Sequence, residues 1–128
     1  AMGATAFQKG LGAIHAMSHP IGALFNTHHG TTNAVCMPAV LAFNAPEIAD
    51  RFKTAADYLG IDGGFEGVCA YVQELNDSLG IPRGLSELGV TEAAIPELVK
   101  GALIDPSCGG NPVVLDQANL TQLFKDAM

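Results

Sequence analysis

The chain has 128 residues, 48% of them hydrophobic, and a formal net charge of −7 at pH 7. That length suits one domain or one piece of a larger one, and that apolar content can bury a core, so a disordered tail is excluded. The acidic balance, with only six scattered basic residues, argues against nucleic acid or an anionic membrane as a partner.

In chain order, the opening "AMGATAFQKGLG" has no helix cap and runs straight into "GAIHAMSHPIGALFNTHHG" (12–30), as a chain entering mid-structure would. This second stretch holds all four histidines, His15, His19, His28 and His29. "TTNAVCMPAVLAFN" (31–44) is apolar all round rather than striped, which places it deep in a core, with Cys36 and Met37 as packing residues. In "PEIADRFKTAADYLG", Ile48, Phe52, Ala55 and Leu59 share a helical stripe that Gly60 ends. "FEGVCAYVQELNDSLG" repeats the spacing with Val68, Val72, Leu75 and Leu79, closed by Gly80 and Pro82. Thr91 can cap a helix burying Ile95, Leu98, Val99, Ala102 and Leu103, which Asp105-Pro106 terminates. Asp116 opens a last helix that buries Leu120, Leu123 and Phe124. "PRGLSELG" and "SCGGNP" are loops, with Asn111-Pro112 as a helix-loop device, and "PVVL" alone is strand-like but too short to matter. The expected fold is all-α, with about five or six helices and no sheet.

Cys36, Cys69 and Cys108 are odd in number and far apart, without a C-x-x-C pair. They fit reduced thiols better than a disulfide framework or a zinc finger. No apolar run reaches the roughly 18 residues of a membrane-spanning helix, and no basic region precedes an apolar core at the N-terminus, so a cytoplasmic location is expected.

His15 and His19 are four apart and share one helix face, while His28 and His29 follow Asn26-Thr27 and precede Gly30. Neutral imidazole is the commonest metal ligand, and four histidines together suggest a shared chemical task. The H-x-x-x-H pattern lacks the glutamate of a zinc protease. No Asp or Glu occurs before Glu47, so these residues supply part of a metal site and further ligands must come from elsewhere.

The run "GLGAIHAMSHPIGALFNTHHGTTNAVCMPAVLAFN" closely resembles the histidine-rich signature of the iron-containing alcohol dehydrogenase family. The likeness continues through "IADRFKTAADYLG", "LNDSLGIPRGLSELGV" and "GGNPVVLDQANLTQLFKDAM". The resemblance implies an NAD(P)-dependent oxidoreductase of alcohols and aldehydes, with an N-terminal Rossmann-like domain, a helical C-terminal domain of the dehydroquinate synthase-like fold, and a divalent metal between them. Residues 1–128 then form part of that helical metal-binding domain, and the nucleotide-binding domain and the family's D-x-x-x-H ligands lie outside this stretch. By position, the resemblance makes His15 and His29 ligands of Fe2+ (or Zn2+). It sets His19 beside the nicotinamide and substrate as a proton relay, and it leaves His28 as a surface or supporting residue. Pro20 is expected to aim His19 by kinking or starting a helix. In "AFQKGLG", Phe7 is shifted by one from its usual place. The implied partners are a small alcohol or aldehyde and further copies of the chain. A maleylacetate reductase or glycerol dehydrogenase type is the alternative within the superfamily. A free-standing helical module with structural histidines is the alternative outside it.

With other parts of a parent enzyme absent, apolar residues from His15 to Phe43 are expected to lack cover.

Overall fold

Helical periodicity is realised in a computed structural model that describes residues 10–128; Phe7 lies outside the described residues. The described residues form five α-helices: α1 Ala13–Phe25, α2 His29–Leu59, α3 Gly64–Ser78, α4 Ile95–Ile104 and α5 Gln117–Asp126. Short 3₁₀ turns at Leu85–Leu88 and Cys108–Gly110 sit in the two expected loops, and a third, Glu92–Ala94, leads into α4. The described residues contain no strand, and "PVVL" is a connection.

The largest departure from expectation is α2, where the two segments on either side of Pro46 form one helix of 31 residues. Proline inside a helix deprives the carbonyl four residues earlier of its partner. At Pro38 that carbonyl belongs to Ala34, and the Asn76 side chain of α3 donates to it at 3.0 Å. The orphaned acceptor is thus satisfied from a neighbouring helix, and α2 runs on.

The core joins Ala13, Ala16, Met17 and Ile21 of α1 to Val35, Cys36 and Val40 of α2, Leu98, Val99 and Ala102 of α4, and Leu120, Leu123 and Phe124 of α5. The α4 and α5 stripes are those expected, except that Leu103 turns outward. The segment from His15 to Phe43 is better covered than expected, since Ala16, Met17, Ile21 and Cys36 are fully buried. Open apolar surface lies instead on the α2–α3 arm. Ala56 is enclosed, but Ala55 and Leu59 face out, and α3 buries only Val68 while Leu75 and Leu79 stay exposed.

Helix ends fix the rest. Asp116 and Asn119 exchange side-chain and backbone bonds of 2.8 Å each in a capping box on α5. Thr91 makes no side-chain cap bond; it precedes the 3₁₀ turn, and α4 starts at Ile95 with Pro96 in its first turn. Gly12 offers α1 no side chain, so the cap comes from across the fold: Asn111 Oδ1 accepts from the Ala13 N–H at 3.1 Å. Asn111 also exchanges bonds of 2.9 and 2.8 Å with Asn44 of α2 and donates to the Val113 carbonyl at 2.8 Å. This amide clasp ties the start of the histidine-bearing helix to α2. Asn111→Ala is expected to cost about 2–3 kcal/mol, since it leaves Asn44 and the Ala13 N–H unpaired. A lowered urea midpoint with an unchanged slope is the measurement that checks it.

Pro20 lies inside α1 rather than at its start. It meets α4 at Gly101, where a Cβ would stand 2.8 Å from the Pro20 Cβ. Only glycine permits that approach, which brings the end of α4 alongside His19.

Candidate metal centre

His15 and His19 project from one face of α1, and His29 is the first residue of α2. The turn between the helices is built from local chemistry. Asn26 ends α1 in the left-handed region (φ 53°), which asparagine tolerates. His28 then caps α2, its Nδ1 accepting from the Thr31 N–H at 3.3 Å. The Thr32 hydroxyl donates to the His28 carbonyl at 3.0 Å and shares a 2.7 Å bond with the Thr27 hydroxyl. Through this turn the His29 ring comes back against those of α1.

Three of the four histidines therefore meet. Ring centroids are 5.2 Å apart for His15 and His29, 5.4 Å for His19 and His29, and 5.6 Å for His15 and His19. His28 stays out of the group as an exposed helix cap.

Hydrogen bonds divide the triad in a way the ring distances do not. The Nε2 atoms of His15 and His29 lie 3.3 and 3.1 Å from one atom, Nδ2 of Asn33. His19 instead turns Nδ1 to Asp105, donating to Oδ2 at 2.8 Å. Asp105 accepts at its other oxygen from the Ser107 N–H at 2.8 Å. Burial pushes the Asp105 carboxyl up, but the bonds from His19 and Ser107 and the charge of His19 outweigh it and hold it below the usual carboxylate range. Burial, then the neighbouring His29 and His19, lower His15 against a weaker pull from Asp105, which favours a neutral imidazole with a free lone pair.

Two imidazole nitrogens facing a common point suit a divalent d-block ion such as Fe2+ or Zn2+. The two Nε2 lone pairs now accept from the Asn33 amide N–H groups, and such electron-rich positions are where a cation would be attracted in the amide's place. Among the described residues no three His, Cys, Asp or Glu side chains are arranged to hold a metal, so these residues alone make no complete ligand set. Cys36 is no ligand, because burial pushes its thiol up to about 12 and keeps it protonated. Beside His19 and Asp105, an open groove of about 430 Å³ is lined mainly by apolar atoms of Pro20, Ala23, Leu24 and Ile104.

Asn33 and Asp105 were not singled out for site roles by sequence. Asn33 carried a signal, since it falls one helical turn after His29 on the same face. Asp105 carried none beyond its role as a helix stop, because 86 positions separate it from His19.

Across residues 1–128 the chain matches the model of the Fe-containing alcohol dehydrogenase family, C-terminal. It is 38% identical to 4-hydroxybutyrate dehydrogenase of Cupriavidus necator, over 98% of this chain and 35% of that protein. It is 35% identical to NAD-dependent methanol dehydrogenase of Bacillus methanolicus, over 99% of this chain and 35% of that protein. A crystal structure of 1,3-propanediol oxidoreductase superposes with a TM-score of 0.85 at 32% identity, covering 92% of this chain and 33% of that one. The chain spans about a third of the length of the curated relatives it matches.

Proposed function

The chain belongs to the Fe-containing alcohol dehydrogenase family, and on that premise we propose that it forms part of the helical metal-binding domain of an NAD(P)-dependent oxidoreductase. In this reading residues 1–128 carry two metal ligands and a proton relay. A Rossmann-like domain and the remaining ligands belong to other parts of the protein. The observation that carries it is the convergence of the His15 and His29 Nε2 atoms on one point. It favours metal-dependent alcohol chemistry over metal-free relatives and over a module with merely structural histidines.

A divalent ion there supplies Lewis acidity toward a substrate oxygen, and a nicotinamide supplies hydride transfer. His15 and His29 hold the ion. His19, with Nδ1–H committed to Asp105, keeps Nε2 as the nitrogen that takes up or returns the alcohol proton. The Asp105 carboxylate stabilises the imidazolium that results. The apolar groove beside His19 seats the carbon skeleton of a small alcohol, aldehyde or ketone and excludes water. Free Cys36, Cys69 and Cys108 support a cytoplasmic setting. The open apolar face of α2 and α3 supports association with further copies of the protein.

The test uses the complete protein, purified without oxygen. The expected result is one iron or zinc per subunit and reduction of NAD or NADP by short alcohols and diols. A protein that retains no transition metal after reconstitution and reduces neither cofactor would overturn the reading.

A further inference from the structure

Asn33 stands one turn after His29 on α2, and its carboxamide nitrogen lies 3.1 Å from the His29 Nε2 and 3.3 Å from the His15 Nε2. A carboxamide nitrogen donates and does not accept. Each Nε2 must then be an acceptor, so both rings carry their proton on Nδ1. That is the tautomer whose Nε2 lone pair a metal needs. The other end of the side chain, Oδ1, is buried without a hydrogen-bond partner among the described residues. Reversing the amide would set Oδ1 against the two Nε2 atoms and demand an N–H on both, the tautomer that blocks ligation. The observed orientation keeps two donor bonds to the histidines and leaves a buried carbonyl unpaired, a state costly enough to call for a reason.

We propose that Asn33 is a positioning residue of the metal centre, which sets the Nδ1–H tautomer of His15 and His29, holds their lone pairs on one point before an ion arrives, and is displaced by that ion. The proposal rests on the metal reading above. Because one lone pair serves one partner, an entering ion breaks both bonds and frees the amide to turn Oδ1 toward a donor.

Long-range 1H–15N spectra of the metal-free complete protein test the assignment without any reference to activity. The expected result is both imidazoles with the proton on Nδ1, and a shift of the Asn33 NH2 signals when Zn2+ is added. Asn33→Leu has nearly the same volume and no donor. It should give mixed tautomers and a Zn2+ affinity higher by roughly 10-fold, because the two bonds that the ion must break in the wild type are then absent. Asn33→Asp accepts where asparagine donates, so it should move at least one ring to the Nε2–H form. A wild-type spectrum with Nε2–H on either ring would overturn the proposal. So would Asn33→Leu with wild-type tautomers and wild-type Zn2+ affinity. Correct tautomers in a protein that binds neither Zn2+ nor Fe2+ would support the tautomer assignment and overturn the metal reading instead.

Discussion

His15→Ala or His29→Ala is expected to strip the complete protein of tightly bound metal and of activity, whereas His19→Ala keeps the metal and loses about 10²- to 10⁴-fold in turnover. The three rings are almost equally spaced, at 5.2, 5.4 and 5.6 Å, so distance alone assigns no roles. Hydrogen bonding does. His15 and His29 turn Nε2 to one shared point, and removing either leaves a single nitrogen there for the proposed metal. His19 is held by a carboxylate at Nδ1, the arrangement of a histidine poised to take up a proton. His28→Ala removes only a helix cap, so it should cost about 1 kcal/mol of stability with metal and rate unchanged. Elemental analysis beside steady-state rates decides the assignment. It fails if His19→Ala loses its metal while His29→Ala retains it.

Asp105→Ala is expected to lower kcat by roughly 10- to 100-fold, again with full metal content. Without the carboxylate, His19 loses the acceptor that fixes its ring and its tautomer, and the imidazolium loses its partner. Asp105→Asn keeps an oxygen acceptor but not the charge, so it should fall between wild type and Asp105→Ala. Stability should respond to pH as well. The Asp105 carboxyl is lowered in the fold, so its ionised form adds stability that is fully present above the unfolded value, about 3.9. That contribution disappears as pH falls through the lowered value. The gap in urea midpoint between wild type and Asp105→Ala should therefore be full at neutral pH and narrow below about pH 4. A constant gap across that range, with kcat unchanged, would remove Asp105 from the relay.

Periodicity made the helices legible, because a stripe such as Leu98, Val99 and Ala102 needs nothing but spacing to be read. It misled at the α2–α3 arm. Leu59, Leu75 and Leu79 keep the spacing of a buried stripe, yet no element of the described chain packs over them. The continuity of α2 through Pro38 was also hidden, since it depends on Asn76, 42 positions from the carbonyl it satisfies. The site divides in the same way. His15, His19 and His29 lie within one short stretch and drew notice as a cluster. Their partners Asn33 and Asp105 are ordinary polar residues whose roles come from where the fold brings them.

The turn that returns His29 to His15 has an electrostatic consequence. Both imidazoles sit in first helical turns, and neither first turn contains an acidic residue. Each helix start carries roughly half a positive charge from N–H groups without helical partners. The field at this corner therefore opposes a bare dication held by neutral imidazoles alone, and a ligand set that includes a carboxylate offsets it. The same field favours negative charge on an oxygen bound there. In the proposed reaction, an alcohol entering the corner would be biased toward its alkoxide before any hydride moves, whatever the length of its carbon chain.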